Sequence, residues 1–344
     1  MQDVAAKTPL EQLRPVLELL ADGEIHSGES LGNALGVSRA AVWKQLQKLE
    51  SYGLTLESAK GRGYRLPGGL DLLSEQTVTA QLDGSARALL RELKVFDELS
   101  STNSLLLERF EEGKGHAVAI LAERQSAGRG RRGRNWVSPY ATSISLSVGW
   151  EFNGGVQSLE GLSLAVGVAV AKALERFSVP GVRLKWPNDV WCQGRKLAGV
   201  LLELKGDLTD RCSVVIGIGL NNGLNAKTAE EIDQPWADLQ QVRPGIGRSE
   251  LTAAILSELL PMLETYPEGG FATYRESWST LDQFAGQPVQ LRSGNLSWEG
   301  VAAGVDEKGA LLLDTDKGQK SFHGGKSRCG GRCDSRAGCR QYTG

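Results

Sequence analysis

The chain lacks several features that would have fixed its class at once. No stretch of its 344 residues approaches the roughly 20 uninterrupted apolar residues of a membrane span. The first positions carry Asp3, Lys7, Glu11 and Arg14 where a secretory signal would place an apolar run, so a cytoplasmic protein is expected. A surplus of one charge is missing too: 39 Lys and Arg against 41 Asp and Glu leave a formal net charge of −2. That balance excludes a uniformly basic nucleic-acid coat and leaves room for a local basic face. Cysteine is scarce. Of five, Cys192 and Cys212 stand alone, while Cys329, Cys333 and Cys339 crowd the last sixteen residues. An odd count without an export signal argues against a disulfide framework, and three cysteines amid Gly and Arg fall short of a four-ligand zinc site. What remains is a chain too long for a single core, so two or three domains are expected; it contains no internal repeat.

The N-terminal part carries the first clear pattern. Leu13, Val16, Leu17 and Leu20 recur at helical spacing within a helix expected over 9–23 and ended by Gly23. Further helices are expected at 28–35 and 39–51, joined by Gly36-Val37-Ser38, with Ser38 as N-cap. Leu54 to Leu66 then reads as a hairpin turning at Lys60-Gly61-Arg62-Gly63. Helix-turn-helix plus hairpin is a winged module. Residues 37–66 hold Arg39, Lys44, Lys48, Lys60, Arg62 and Arg65 against only Glu50 and Glu57, so the locally basic part is the part that would touch DNA phosphates. Ser38, Arg39, Lys44 and Gln45 are the candidates to reach bases, with Lys60 and Arg62 on the wing. The alternative is a small docking domain whose charges are merely solvated; the basic wing favours DNA.

Pro67-Gly68-Gly69 reads as a linker, Leu72 to Leu90 as a helix, and the boundary falls within 67–80. Apolar segments at 117–122, 142–150, 198–204 and 213–220 predict strands, and helices are expected at 101–111, 158–176 and 250–265. The class is α+β. Short β pieces from about 286 to 323 suggest a small β-barrel.

The run Gly128-Arg129-Gly130-Arg131-Arg132-Gly133-Arg134-Asn135-Trp136 has glycines at dinucleotide-fingerprint spacing. Such a loop must open a helix. Here Trp136, Ser138 and Pro139 lead instead into alternating Ile144, Leu146 and Val148, a strand. The arginines suit a phosphate clamp, because a guanidinium donates paired charge-assisted hydrogen bonds; a solvated basic loop is the plainer alternative. Lys185-Trp186-Pro187-Asn188-Asp189 offers a point charge for a carboxylate or phosphate, or else a cation packed on a ring. Ser101-Thr102-Asn103 by default caps a helix.

Together, Ser101-Thr102-Asn103, Gln125, the Gly128 to Trp136 loop, Lys185 to Asp189, Arg195-Lys196-Leu197-Ala198-Gly199 and Ile216-Gly217-Ile218-Gly219-Leu220-Asn221 follow the order seen in biotin protein ligases. From about residue 10 to Gly325 the chain resembles the bifunctional class, which adds a winged DNA-binding domain. The resemblance implies a winged helix-turn-helix domain at 1–66, a linker at 67–80, a class II synthetase-like α/β ligase domain with a mixed sheet at 81–280, and an SH3-like β-barrel at 281–325. It implies ATP-dependent formation of biotinyl-5′-AMP with Mg²⁺ carried by the nucleotide rather than by a protein cage. The implied partners are the biotin carboxyl carrier protein of acetyl-CoA carboxylase and operator DNA, with a homodimer formed when the adenylate is bound. Carried over, Ser101, Thr102, Asn103 and Gln125 hold biotin; Gly128, Arg129, Gly130, Arg131 and Trp136 belong to the closing loop; Gly199, Gly217, Gly219 and Asn221 line the ligand site; Lys185 and Arg131 act in catalysis. A lipoate protein ligase and a ligand-sensing repressor without catalysis are the competing readings. The intact arginine-glycine loop and Lys-Trp-Pro-Asn-Asp run favour biotin over lipoate, and a mere sensor needs no phosphate clamp beside a lysine. The chain departs from the family after Gly325, where an acidic and apolar strand is replaced by Lys326-Ser327-Arg328-Cys329-Gly330 and a Cys/Arg/Gly tail. Without apolar periodicity, 326–344 is expected to be disordered.

Overall fold

The structure is a computed structural model that describes residues 8–206, 211–224 and 230–329. Helix α1 (Pro9–Leu20) opens with a capping box between Thr8 and Glu11 and buries Leu10, Leu13, Val16, Leu17 and Leu20. Helix α2 (Gly28–Leu35) stops at Gly36, whose φ of 67° is left-handed. Ser38 caps α3 (Arg39–Leu49) by accepting from the Ala41 amide at 3.2 Å. Strands β1 (Glu57–Ala59) and β2 (Gly63–Arg65) form the wing hairpin. A bridge between His26 and Tyr64 ties that wing to the α1–α2 turn. A Cβ on Gly63 would lie 2.0 Å from the His26 carbonyl oxygen, so this approach requires glycine.

The central sheet has seven strands: β3 (Glu92–Leu99), β4 (Val118–Gln125), β5 (Ser143–Asn153), β6 (Val182–Lys185), β7 (Asp189–Cys192), β8 (Arg195–Lys205) and β9 (Arg211–Asn221). Their order is β3-β4-β5-β9-β8-β7-β6, with β3 and β4 parallel and every other pair antiparallel. The parallel pair needs a crossover, which α6 (Thr102–Glu111) supplies. Period-two alternation splits the sheet into two faces. Val118, Ile120 and Val215 pack under Leu106 of α6. Ala119, Leu121, Val214 and Ile216 join the large core with α7 (Leu162–Arg176) and the long helix Arg248–Gly269. The stretch Val156–Arg176 has the length and apolarity of a membrane span, yet α7 is packed against β6, β7, β8 and the long helix.

Several expectations need correction. The helix expected over Leu72 to Leu90 is two, α4 (Glu75–Gln81) and α5 (Gly84–Leu89), because Leu82 turns extended and Asp83 starts a second helix. Ordered helix therefore begins inside the segment read as linker. In 158–176, Gly161 (φ 72°) separates a short 3-10 turn from α7.

The small C-terminal sheet holds β10 (Pro288–Ser293), β11 (Leu296–Val305), β12 (Leu311–Thr315), β13 (Gly318–Phe322) and β14 (Lys326–Cys329), in the order β13-β12-β11-β10-β14. Among the described residues it is an open antiparallel sheet, with β13 and β14 as edges, rather than the expected closed barrel. Nor is the chain disordered from 326 onward: Gln290 pairs with Arg328, Leu291 with Ser327 and Arg292 with Lys326. Backbone pairing needs no apolar periodicity, and Ser327 is buried and donates to the Trp186 carbonyl at 3.2 Å. Residues 330–344, with Cys333 and Cys339, lie outside the described residues.

The winged module is not an isolated body on a linker. Tyr140 from the central domain is buried in its apolar core beside Leu10, Leu13 and Leu17. Arg14 of α1 donates to Asp97 Oδ1 (3.1 Å), Glu123 Oε1 (3.3 Å) and the Leu73 carbonyl (3.1 Å). Glu123 is fully buried and is also met by Arg248 at 2.6 Å. A buried carboxylate is tolerable only when its oxygens are paired in this way.

Candidate active site

Cross-strand register builds the site on the α6 face of the sheet. Ser145 of β5 stands opposite Gly219 of β9, and Ser147 opposite Gly217. On the other side of β9, Gly199 of β8 faces Gly219 and Leu201 faces Gly217. Directly paired residues share a face, so a stripe of serine and glycine runs where β-branched side chains would otherwise fill space. The glycines are needed for clearance. A Cβ on Gly217 would come within 2.4 Å of Asn103 Oδ1, and one on Gly219 within 2.4 Å of the Trp136 ring.

The start of α6 sits above this stripe. Ser101, Thr102 and Asn103 are all buried, yet Ser101 makes no capping bond with its side chain. Instead the Thr102 amide and hydroxyl donate to Gln125 Oε1 at 2.9 and 3.1 Å, and Gln125 Nε2 donates to Ser145 Oγ at 3.2 Å. Ser147 Oγ donates to Asn103 Oδ1 at 2.5 Å and lies 2.7 Å from Thr102 Oγ1. Asn103 Nδ2 in turn donates to Glu203 at 2.7 Å. The default expectation of a mere helix cap gives way to an ordered polar wall. With Arg129, Gly130, Arg131 and Trp136 it lines a cleft open to solvent.

The arginine loop is a closed hairpin. Trp136 N donates to the Gly128 carbonyl at 2.9 Å and Gly130 N to the Arg134 carbonyl at 2.7 Å, and Arg132 adopts a positive φ of 59°. Arg129 pairs with Glu203 at 2.9 Å, while Arg131 donates to Asn188 Oδ1 at 3.1 Å. Burial, and then the charge of Arg132, lower the pKa of Arg131. The indole Nε1 of Trp136 is buried over Gly219 without a hydrogen-bond partner, a donor that no protein group satisfies.

A second cavity continues from the first, sharing Gly130, Arg131, Trp136, Asn188 and Lys196 with it. It is lined by cations, including Arg132, Arg134, Lys185 and Lys326. Lys185 ends β6 and is 8 % exposed. Its ammonium lies 4.3 Å from the centroid of Trp191 rather than on its neighbour Trp186, whose indole N–H donates to the Gly309 carbonyl. Burial pushes Lys185 down to about 8, against the pull of Asp189. Asp189 itself is taken by Lys196 at 2.7 Å. Among the described residues no cluster of three or more His, Cys, Asp or Glu could hold a metal ion.

Two expected site residues stand apart from both cavities. Asn221 is buried and donates to the Ala237 carbonyl at 3.1 Å, fastening a neighbouring segment; Gly128 closes the base of the loop, because a Cβ there would lie 2.5 Å from the Trp136 carbonyl oxygen. Sequence reasoning missed the serines of β5, Asn188, Lys196, Glu203 and Lys326. The serines were detectable as a polar stripe at alternate positions of an otherwise apolar strand. In the winged module, Arg39, Lys44, Lys60 and Arg62 are exposed, Ser38 serves as the cap and Gln45 is half-buried. Trp43, also missed, is exposed on α3 and stands 5.7 Å from Tyr64 of the wing.

Three family models match the chain. Residues 95–221 match the biotin/lipoate A/B protein ligase family, 12–65 an HTH domain and 284–326 the biotin protein ligase C terminal domain. The chain is 41 % identical over 311 residues to the bifunctional ligase/repressor BirA of Escherichia coli, covering 90 % of this chain and 95 % of that protein. It is 29 % identical over 307 residues to the protein of the same name from Bacillus subtilis, covering 88 % and 93 %. Among solved structures, the biotin protein ligase from Aquifex aeolicus in complex with biotin and ATP aligns with a TM-score of 0.60 at 28 % identity, over 70 % of this chain and 98 % of that one. With a ligase core, a C-terminal sheet and an N-terminal helix-turn-helix in one polypeptide, the chain belongs to the bifunctional ligase/repressor family of biotin protein ligases.

Proposed function

We propose that the protein joins biotin to ATP to form biotinyl-5′-AMP, transfers the biotinyl group to a lysine of the biotin carboxyl carrier protein, and represses biotin synthesis genes through its winged domain. The observation that carries this reading is the continuity of two unlike cavities, one glycine-floored and lined by Ser101, Thr102, Asn103 and Gln125 beside Arg129 and Arg131, the other lined by six cations and one carboxylate, which meet at Arg131 and Asn188. Biotin fits the first, where Ser101, Thr102, Asn103 and Gln125 offer polar contacts and Trp136 an unpaired donor. The polyphosphate fits the second. Attack of the biotin carboxylate on the α-phosphate breaks the α–β anhydride bond and releases pyrophosphate; it brings two anions together, and Lys185 and Arg131 offset their repulsion and the charge of the transition state. Mg²⁺ arrives with the nucleotide and supplies further charge neutralisation. No covalent enzyme nucleophile is needed: the carrier lysine attacks the mixed anhydride and AMP leaves. The hairpin Gly128–Trp136 covers the adenylate and keeps it from water. The units proposed are 1–66 for DNA, a connector ending where α4 begins, a ligase domain to about 280, and the small sheet beyond it.

The adenylate is proposed to favour a homodimer in the cytoplasm, placing two recognition helices on an operator with two half-sites. The test is incubation with ATP, Mg²⁺ and either biotin or lipoate, followed by mass spectrometry for the adenylate and for transfer to a carrier domain. Biotinyl-adenylate and carrier labelling are expected; lipoyl-adenylate alone, or no adenylate, overturns the reading. A DNA titration at fixed salt with and without biotin plus ATP tests the repressor half, where ligand-independent binding would sink it.

A further inference from the structure

The strand β14 places a cation in the ligase cleft that the family resemblance did not bring. Gly325 and Lys326 line the second cavity together with Lys185, Trp186, Pro187 and Asn188. Their position is fixed from both sides. Strand β14 pairs with β10 through Arg292–Lys326 and Leu291–Ser327, and Ser327, 2 % exposed, anchors it to the Trp186 carbonyl next to Lys185. We propose that Lys326 binds the polyphosphate of the nucleotide, a contact supplied to the ligase cleft by the small C-terminal sheet.

Six cations line this cavity, Arg131, Arg132, Arg134, Lys185, Lys196 and Lys326, against one carboxylate, Asp189. That carboxylate is already held by Lys196. Lys326 forms no ion pair among the described residues; partial burial, and after it the charges of Arg134 and Arg328, disfavour its ammonium more than Asp233 and Asp189 support it. Like charges gathered in a partly desolvated cleft repel one another until an anion of several charges joins them, and a di- or triphosphate chain offers oxygens to more than one of them at once. The biotin cleft does not include Lys326. Its contribution therefore belongs to the nucleotide end.

The inference rests on the reading of the cleft as a biotin and ATP site, and the experiment separates the two. Full-length protein carrying Lys326→Ala, Lys326→Glu or Lys326→Arg is titrated with ATP, with inorganic pyrophosphate and with biotin, and assayed for adenylate formation and for KM toward a carrier domain. Lys326→Ala should weaken ATP and pyrophosphate about tenfold, the loss of one charge-assisted contact. Lys326→Glu should weaken them further and Lys326→Arg should restore them, with biotin affinity, carrier KM and melting temperature unchanged. Unaltered ATP and pyrophosphate binding in Lys326→Glu overturns the inference. So does an effect confined to carrier KM, which would make Lys326 a protein-docking residue, or a parallel loss of biotin affinity and melting temperature, which would make it structural. If the unaltered protein makes no biotinyl-adenylate, the site reading fails; the pyrophosphate titration still decides whether Lys326 holds a polyphosphate.

Discussion

Lys185 should trade stability for chemistry, and the trade can be measured. Its ammonium is 8 % exposed and its pKa falls from the ordinary 10.5 to about 8, chiefly because burial disfavours the charge. At roughly 1.36 kcal/mol for each pKa unit, keeping it protonated in the folded state costs about 3 kcal/mol relative to the unfolded chain. The sign follows from the direction. Because the folded value is the lower one, the cost is complete below about pH 8, shrinks as the folded protein loses the proton, and vanishes above the unfolded value. Contact with the Trp191 ring returns part of it, about 1 kcal/mol. Lys185→Met, which keeps the volume and removes the charge, should therefore stabilise the protein by about 1–3 kcal/mol at pH 7, with the gain fading as the pH approaches 10.5. The same change should lower adenylate synthesis about a hundredfold or more, the usual loss when one preorganised charge is removed from a transition state. In the unaltered enzyme, synthesis should decline as pH rises through about 8. Denaturant unfolding at pH 7, 8.5 and 10, beside pyrophosphate-release assays, checks both halves. A Lys185→Met protein that is less stable at pH 7, or that turns over near normally, refutes the reasoning.

Arg131→Gly removes the donor to Asn188 and adds backbone freedom to the hairpin, so adenylate should escape and label bystander lysines; labelling that stays confined to the carrier, read by mass spectrometry of a protein mixture, would count against this role. Gly219→Ala puts a methyl 2.4 Å from the Trp136 ring and should weaken biotin binding about tenfold or more by calorimetry, whereas unchanged affinity would mean the indole moves freely. Arg39→Ala, on the exposed face of α3, should weaken operator binding at fixed salt and leave adenylate formation intact; a loss of adenylate would show that the change acts through folding.

How much was legible depended on whether the signal was local. The winged module was readable because Ser38, Gly36 and the Lys60–Gly63 turn act within a few residues of themselves. The strands over 118–125, 143–153 and 211–221 announced themselves by apolar runs. Strand β3 did not, since Glu92, Lys94, Asp97 and Glu98 interrupt it; it is held as the edge partner of β4. The short strands Val182–Lys185 and Asp189–Cys192 were hidden inside a motif read for its chemistry. Site residues carried by a compact motif, such as Thr102, Arg131 and Lys185, could be named. Glu203 and Lys326 could not, because their meaning comes only from register: Glu203 meets Asn103 and Arg129 from across the sheet, and Lys326 enters the cleft only once β14 has paired with β10. The linker was misjudged for the same reason, since nothing near Pro67-Gly68-Gly69 reveals that Tyr140 is buried in the module before it.

The burial of Tyr140 couples the winged module to the closing hairpin. Glu123 lies two residues before Gln125 on β4, and Tyr140 four residues after Trp136. The segment that carries the arginine hairpin is thus fastened at both ends by residues that contact the winged module, Glu123 through Arg14 and Tyr140 through the apolar core and its hydrogen bond to Asp97 at 2.9 Å. Removing residues 1–66 strips Arg14 from the Asp97–Glu123 pair and exposes the Tyr140 ring, a loss of about 2 kcal/mol from the ring alone. Glu123 keeps Arg248 and the Leu73 amide, so the core should still fold. It should melt earlier than the full-length protein and bind biotin more weakly, because the ends of the closing hairpin are no longer held. Arg14→Met in the full chain should reproduce part of the effect with the DNA-binding surface intact. Calorimetric titration with biotin and thermal melts of the three proteins decide the matter: a truncated core that keeps full-length affinity and melting temperature would show that the two units are independent after all.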